Sequence, residues 1–181
     1  TWEWDGTDWT QLSPVSSPTP RNDHAMVYDE ARGKVLLFGG HDTAQVYVLD
    51  LAHAGEAERV TSLSTGARSP KWSPDGRQIL FVSEVYPGAK DDDANKKAAK
   101  AEKDRKYHSR VYEGFPIKYW DRWLDVKQAH LFVQEAKAGA KARDLLAGTK
   151  LAAQPWFARR ATDSGYDLQA TWTPDGRGVV F

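Results

Sequence analysis

The chain contains no cysteine and a single methionine. Without thiols, disulfide frameworks, thiolate zinc sites, iron–sulfur clusters and cysteine nucleophiles are excluded, while the redox compartment stays open. It also lacks an excess of either charge. Lys plus Arg and Asp plus Glu stand at 25 each, which removes the electrostatic basis for nucleic acid or an anionic membrane as principal partner. No apolar run approaches the roughly 18 residues of a bilayer-spanning helix, and the N-terminus lacks a basic-then-apolar leader pattern. What is abundant is aromatic: eight Trp and seven Tyr among only 40% hydrophobic residues. That composition suits short, twisted, half-buried strands better than a leucine-rich helical bundle, and 181 residues suffice to bury a core without a covalent or metal staple.

Internal repeats organise the chain. Trp72-Ser73-Pro74-Asp75-Gly76-Arg77 leading into Gln78-Ile79-Leu80-Phe81 is echoed by Trp172-Thr173-Pro174-Asp175-Gly176-Arg177 leading into Gly178-Val179-Val180-Phe181. Each predicts a strand, a tight turn and a second strand: proline fixes φ, aspartate bonds the following backbone, and glycine accepts positive φ. A third, divergent copy runs from His24 to Phe38, and Phe38 precedes Phe81 by 43 positions, a propeller-blade interval. A second hairpin follows each complete copy, at Gln45 to Leu51 with Glu58 to Leu63, and at His130 to Ala136 with Ala142 to Leu146. Strand pairs at Thr1 to Asp5 and Asp8 to Leu12, and again at Gln169 to Thr173 and Gly178 to Phe181, would together make one further blade. The expectation is an all-β fold of about three four-stranded antiparallel propeller blades, one shared by the two termini. Closed propellers have four to eight blades, so a homodimer closing a six-bladed ring is the expected partner arrangement.

The second unit is interrupted from about residue 86 to 129. Asp91-Asp92-Asp93 and the following lysines and alanines place Asp92/Lys96, Asp93/Lys97 and Glu102/Lys106 at helical spacing, which reads as a solvated helix or a disordered loop. The second half, Phe115-Pro116-Ile117-Lys118-Tyr119-Trp120-Asp121-Arg122-Trp123, is aromatic and expected to pack as a plug or interface. Phe115, Tyr119, Trp120 and Trp123 are candidate interface or ligand-facing residues. So are Trp2, Trp4 and Trp9 near the N-terminus, where Trp2 and Trp4 share one side of a strand; a blade-packing stripe is favoured there over a sugar-stacking platform.

Catalytic and metal patterns are absent. No G-x-S-x-G pentapeptide occurs, and Asp163-Ser164-Gly165 reads as a turn. His24, His41, His53, His108 and His130 form no H-x-H or H-x-x-x-H pair. The Asp91–Asp93 run lacks the glycine and terminal glutamate of a calcium loop. No catalytic residue, cofactor or metal is expected.

Two family resemblances cover the chain. Residues 1–40 resemble kelch-type propeller repeats through Thr1-Trp2-Glu3-Trp4-Asp5-Gly6, His24-Ala25-Met26-Val27-Tyr28-Asp29 and Phe38-Gly39-Gly40. Residues 41–181 resemble the N-terminal propeller, with TolB-like repeats, of prolyl oligopeptidase family serine peptidases. The residues that carry this are the two Trp-(Ser/Thr)-Pro-Asp-Gly-Arg turns, Gln45-Val46-Tyr47-Val48-Leu49-Asp50-Leu51 and Tyr119-Trp120-Asp121-Arg122-Trp123. The resemblances meet at Gly40/His41, within one blade, which implies a recombined or engineered chimera. The leading expectation is a non-enzymatic, self-assembling scaffold. A fragment of a peptidase's substrate-gating propeller and a module binding a carbohydrate, peptide or protein are the alternatives.

Overall fold

In this computed structural model the described residues are 2–11, 24–39, 44–50, 57–107, 109, 111–112, 115–154, 157–161 and 168–181. Fourteen strands and one helix occur among them. β1 (Trp2–Trp4) and β2 (Trp9–Gln11) form a hairpin. β3 (His24–Asp29), β4 (Lys34–Gly39), β5 (Tyr47–Asp50) and β6 (Glu58–Arg59) make a four-stranded antiparallel sheet in chain order. β7 (Arg68–Trp72) and β8 (Gln78–Val85) lead to the helix α1 (Asp92–Lys103). β9 (Lys118–Tyr119), β10 (Arg122–Glu135), β11 (Arg143–Asp144) and β12 (Arg159–Ala161) then complete a six-stranded sheet with the path β11-β10-β8-β7, to which β9 and β12 add along β10. β13 (Thr171–Trp172) and β14 (Val179–Val180) form a last hairpin.

The repeated motif folds the same way twice. Ser73 Oγ donates to Asp75 Oδ1 at 2.6 Å, as Thr173 Oγ1 does to Asp175 Oδ1 at 2.6 Å. The Arg77 and Arg177 amides each donate to the same aspartate oxygen at 3.1 Å. Gly76 and Gly176 both sit at φ 69°, a left-handed conformation that glycine adopts without a Cβ clash. The turns close through Ser73 N–H to Gln78 O and Thr173 N–H to Gly178 O, both at 2.9 Å.

Register fixes which residues correspond. The last strand pairs before each turn are Tyr28↔Val35 followed by Asp29↔Lys34, Trp72↔Ile79, and Trp172↔Val179. Tyr28, Trp72 and Trp172 are therefore equivalent, as are Leu37, Phe81 and Phe181. The 43-residue interval from Phe38 to Phe81 is thus off by one, and Phe38 matches Val82. A one-residue slip moves every side chain to the other face, so the correction decides which residues meet.

The sheets stack face to face. On β8, Ile79, Phe81 and Val85 join Leu36, Val46, Val48 and Val60 in one core, whereas Leu80 and Val82 join Leu131, Val133, Leu146 and Ala170 in a second. Strict alternation with both faces buried marks a strand at the centre of a layered structure. Ile79, Leu80, Phe81 and Val82 are each at most 1% exposed, and burying each is worth about 1.5–3 kcal/mol. The Trp172/Val179 face of the last hairpin closes the second core. The turns also line up: Arg32 reaches Pro74 O at 2.6 Å, and Pro74 lies beside Gly176.

This arrangement corrects the expected closure. Strand-rich units of the expected kind are present, but no closed propeller forms among the described residues. β1–β2 and β13–β14 each pair only internally and do not merge into a shared terminal blade. The physical reason is that Trp172 and Val179 pack on the six-stranded sheet, with Trp172 Nε1 donating to Lys71 O at 3.3 Å. The last hairpin is thereby stacked as a separate layer. The junction at Gly40/His41 lies outside the described residues, but β3 and β4 on one side of it pair into the same sheet as β5 and β6 on the other.

Candidate recognition surface on the inserted hairpin

The excursion from the six-stranded sheet leaves β8 at Val85 and rejoins opposite it, where Gln128 pairs with Val85. Its first half is the helix expected from the charge pattern. Asp91 caps it by accepting from Ala94 N–H at 2.8 Å, and Asp92 and Asp93 fill the first turn, where carboxylates are favoured by the helix dipole. Lys96 reaches Asp92 at 2.9 Å and Asp93 at 3.2 Å.

Polar groups dock this helix. Asn95, 5% exposed, accepts from Tyr86 N–H at 2.9 Å and donates to Glu84 O at 3.3 Å. Asp92 accepts from the Ser64 amide at 2.8 Å and the Ser64 hydroxyl at 2.6 Å. Burial opposes ionisation of Asp92, but Ser64 and Lys96 outweigh it and hold the carboxyl below its ordinary range. Tyr86 donates to Glu102 at 2.7 Å. Burial, that bond and the nearby carboxylates push the Tyr86 phenol well above its ordinary value.

Beneath the helix, Glu84 receives Lys127 at 2.6 Å and Arg68 at 3.3 Å. Burial pulls the Lys127 ammonium down, but Glu84 and Asp125 more than compensate, so its value is raised.

The second half of the excursion is an aromatic hairpin on a cationic base. Tyr112 stacks on Trp123 with centroids 6.0 Å apart and donates to Leu124 O at 3.0 Å. Lys118 lies 4.1 Å above the Trp123 ring, and Arg159 lies 5.2 Å from the Tyr112 ring, distances at which cation–π attraction operates. Arg159 is itself held by Asp125 O at 2.9 Å. Beyond this base, Trp120 at the hairpin tip adopts φ 57° and is 88% exposed, and Phe115 is 82% exposed. Aromatic faces next to anchored cations suit an extended chain that offers carbonyl or carboxylate oxygens and apolar side chains.

Of the residues singled out from sequence, Trp123 joins this base, while Phe115 and Trp120 stand in solvent. Tyr119 lies in β9, Trp2 and Trp4 in β1, and the side chains of these three fall outside the described residues. Trp9, 57% exposed, pairs with Trp4 in the first hairpin. His41, His53, His108 and Asp163-Ser164-Gly165 also lie outside them, and His24 is described only as part of the β3 backbone.

Sequence reasoning did not find the pair of buried His130 and partly buried Asp144. Imidazole Nδ1 lies 2.7 Å from Asp144 Oδ2, and Nε2 has no hydrogen-bond partner. A catalytic triad would need a nucleophile's hydroxyl on Nε2. The cross-strand Ser83 instead donates to Gly66 O at 2.6 Å and contacts Thr65 at 3.0 Å. The pair ties β10 to β11, and only alternation along β10 hints that His130 points inward. Among the described residues no group of three or more His, Asp or Glu is placed to hold a metal ion.

No protein-family model matches the chain. Among curated proteins it is similar to the uncharacterized peptidase YuxL of Bacillus subtilis (strain 168), with 28% identity over 140 residues. That alignment covers 77% of this chain and 18% of the relative, so the chain spans less than a fifth of the relative's length. The similarity corrects the expectation of a non-enzyme: the named protein that this chain resembles is a peptidase. Absence of G-x-S-x-G reports only on the residues present, and a non-catalytic portion of a peptidase lacks a nucleophile just as a scaffold does.

Proposed function

We propose that this chain is part of the substrate-admitting β-propeller of a prolyl oligopeptidase-like serine peptidase, whose nucleophile is supplied from outside these residues. The observation that carries this reading is the similarity to a peptidase over most of the chain. Two Trp-(Ser/Thr)-Pro-Asp-Gly-Arg turns of matching geometry and the face-to-face stacking of the sheets support it. In this reading the sheets are blades, and the aromatic hairpin contacts peptide substrates on their way to the hydrolase.

The test is to capture the native polypeptide with an antibody against these 181 residues and treat it with a fluorophosphonate probe. Labelling of a serine in the captured polypeptide or its complex is the expected result. A captured species with no reactive serine overturns the reading.

A second proposal is that the chain is a chimera joined at Gly40/His41. The kelch-like Phe38-Gly39 and the peptidase-like Gln45 to Asp50 flank the joint within one sheet-forming segment. Sequences from source organisms that align to only one side of the joint, each side with its own propeller lineage, support the chimera; a natural homologue that aligns without interruption across Gly40/His41 and shares one lineage on both sides overturns it.

A further inference from the structure

The cations beneath helix α1 are neutralised where they stand. Lys127 and Arg68 share Glu84, and Lys127 also meets Asp125 at 3.6 Å. Lys118 and Arg159 differ: among the described residues neither makes an ion pair, yet both are held in place. Lys118 sits over the Trp123 ring and Arg159 over the Tyr112 ring. The Arg159 guanidinium is further fixed by Asp125 O, which accepts from Nε at 2.9 Å, and by Pro116 O, which accepts from Nη1 at 3.4 Å. A guanidinium carries five N–H donors in a planar fork, and among the described residues the Nη2 donors of Arg159 have no partner. Asp121, in the two-residue turn between Tyr119 and Arg122, ion-pairs with neither cation.

The two cations belong to one series of side chains. Lys118 lies 4.1 Å from the Trp123 ring, Trp123 stacks on Tyr112 at 6.0 Å, and Tyr112 lies 5.2 Å from Arg159. These three steps keep the cations within reach of one extended segment of about five residues. Each end also carries an exposed aromatic. Phe115 precedes the Pro116 whose carbonyl holds Arg159, and Trp120 stands in the turn that follows the strand of Lys118.

We infer that the aromatic hairpin selects acidic peptides: an extended segment places one side-chain carboxylate on Lys118 and a second on the Nη2 edge of Arg159, with apolar neighbours against Phe115 and Trp120. Charge complementarity carries the assignment. A half-buried guanidinium that has lost part of its water and gained no carboxylate is electrostatically incomplete, and a ligand carboxylate completes it with charge-assisted hydrogen bonds. Both cations are already positioned by rings and carbonyls, so binding orders little that is not ordered beforehand. That the acidic segment belongs to a substrate rests on the proposed peptidase function; that the surface holds it does not.

The test is fluorescence anisotropy of labelled five-residue peptides, blocked at both ends, with the full 181-residue chain. The probe is Glu-Phe-Ala-Glu-Phe, and its control carries glutamine in place of both glutamates. The glutamate peptide should bind about tenfold more tightly, an advantage that shrinks as salt is raised. Lys118→Gln and Arg159→Gln should each weaken it about fivefold. Lys118→Arg should bind as wild type does, and Lys118→Glu should prefer a peptide with lysine in place of one glutamate. Hydrogen exchange at β12 separates a lost Arg159 contact from a loosened strand, and the exposed Lys118 keeps the charge swap decisive in either case. Equal binding of the glutamine peptide, tighter binding of a glutamine peptide with a free C-terminal carboxylate, tighter binding of a single-stranded oligonucleotide, or failure of the charge swap would each overturn acidic selection. So would binding that vanishes in the antibody-captured native polypeptide, where another part of that polypeptide would then cover the hairpin. Serine labelling reads the peptidase function separately: binding without a labelled serine sinks that function alone, and a labelled serine without binding sinks acidic selection alone.

Discussion

The second and third hairpins share one turn but live in different surroundings. Their hydroxyl-to-aspartate, amide-to-aspartate and strand-closing bonds agree to within 0.1 Å. Past the turn they diverge. The second continues into β8, flanked by strands on both edges and by apolar layers on both faces; the third continues into β14, whose outer face is open. Local chemistry therefore specifies the shape of the turn, and burial decides how much the fold depends on it. This separation follows from the physics: a turn's hydrogen bonds are satisfied within six residues, whereas its stabilisation by packing is set by whatever lies above and below the strands.

The sharpest way to break the comparison is at equivalent phenylalanines. Phe81 is 0% exposed and stacks on Phe132 at 5.7 Å, so Phe81→Ala should cost about 3–5 kcal/mol. Phe181 is 51% exposed and meets Phe157 only edge-on, so Phe181→Ala should cost under about 1 kcal/mol. Urea unfolding midpoints measure both, and equal losses would show that layering does not separate the two hairpins.

Next come the turn glycines. Alanine at either position forces a left-handed backbone worth roughly 1–2 kcal/mol. At Gly76 a Cβ would also fall 1.6 Å from Arg32 Nε, whereas at Gly176 the nearest atom is Pro74 Cδ at 3.5 Å. Gly76→Ala must therefore displace Arg32 from Asp29 and Pro74 O, adding about 1 kcal/mol for the lost bonds. Repeating both substitutions in an Arg32→Ala background should make their costs equal; a persisting gap would place its origin elsewhere.

Smaller still, Ser73→Ala and Thr173→Ala each remove the turn hydroxyl and should cost about 1 kcal/mol, with Ser73 the larger because it is 3% exposed. Thermal melts of the two variants rank them, and a larger loss for Thr173→Ala would reverse the assignment.

The smallest effect is in titration. Donation from Ser73, and then from the Arg77 amide, holds Asp75 below the ordinary 3.8; donation from Thr173 and the Arg177 amide does the same for Asp175. A carboxyl whose folded pKa is depressed contributes stability above its unfolded pKa and loses it as pH falls through the folded value. Both turns should therefore loosen only in acid more extreme than pH 3.8. Carboxyl NMR titration should find both midpoints below that value, and Ser73→Ala should raise the Asp75 midpoint alone. An unmoved Asp75 would assign its low value to the backbone.

The same contrast explains what could be read from sequence. Trp-(Ser/Thr)-Pro-Asp-Gly-Arg encodes its turn in adjacent residues, and Gln78 to Val82 announces a strand by composition. The β3–β4 hairpin slipped by one because its turn, Glu30-Ala31-Arg32-Gly33, carries glycine at the fourth position, whereas Pro74-Asp75-Gly76-Arg77 carries it at the third. Aligning on glycine shifts every following residue. Helix α1 was legible from its charges, but its seat was not, since Asn95 is an ordinary polar residue until Glu84 and Tyr86 are brought to it. His130 and Asp144 are 14 positions apart and meet only through the pairing of β10 with β11. The aromatic hairpin was visible as composition; that Trp123 is anchored while Phe115 and Trp120 protrude depends on tertiary contacts from Tyr112 and Arg159.

The closure of the excursion at the pair Val85↔Gln128 has a consequence for how this surface can change. Seen from the β8–β10 ladder, the segment from residue 86 to the start of β10 at Arg122 is one long connection between neighbouring strands. Loop-closure entropy grows only logarithmically with length, so the helix and the aromatic hairpin ride on the fold at little cost to it. Up to the start of β10 at Arg122 the segment is a replaceable cassette: it can lengthen, shorten or exchange its exposed side chains while β8 and the Gln128–Glu135 part of β10 keep their register.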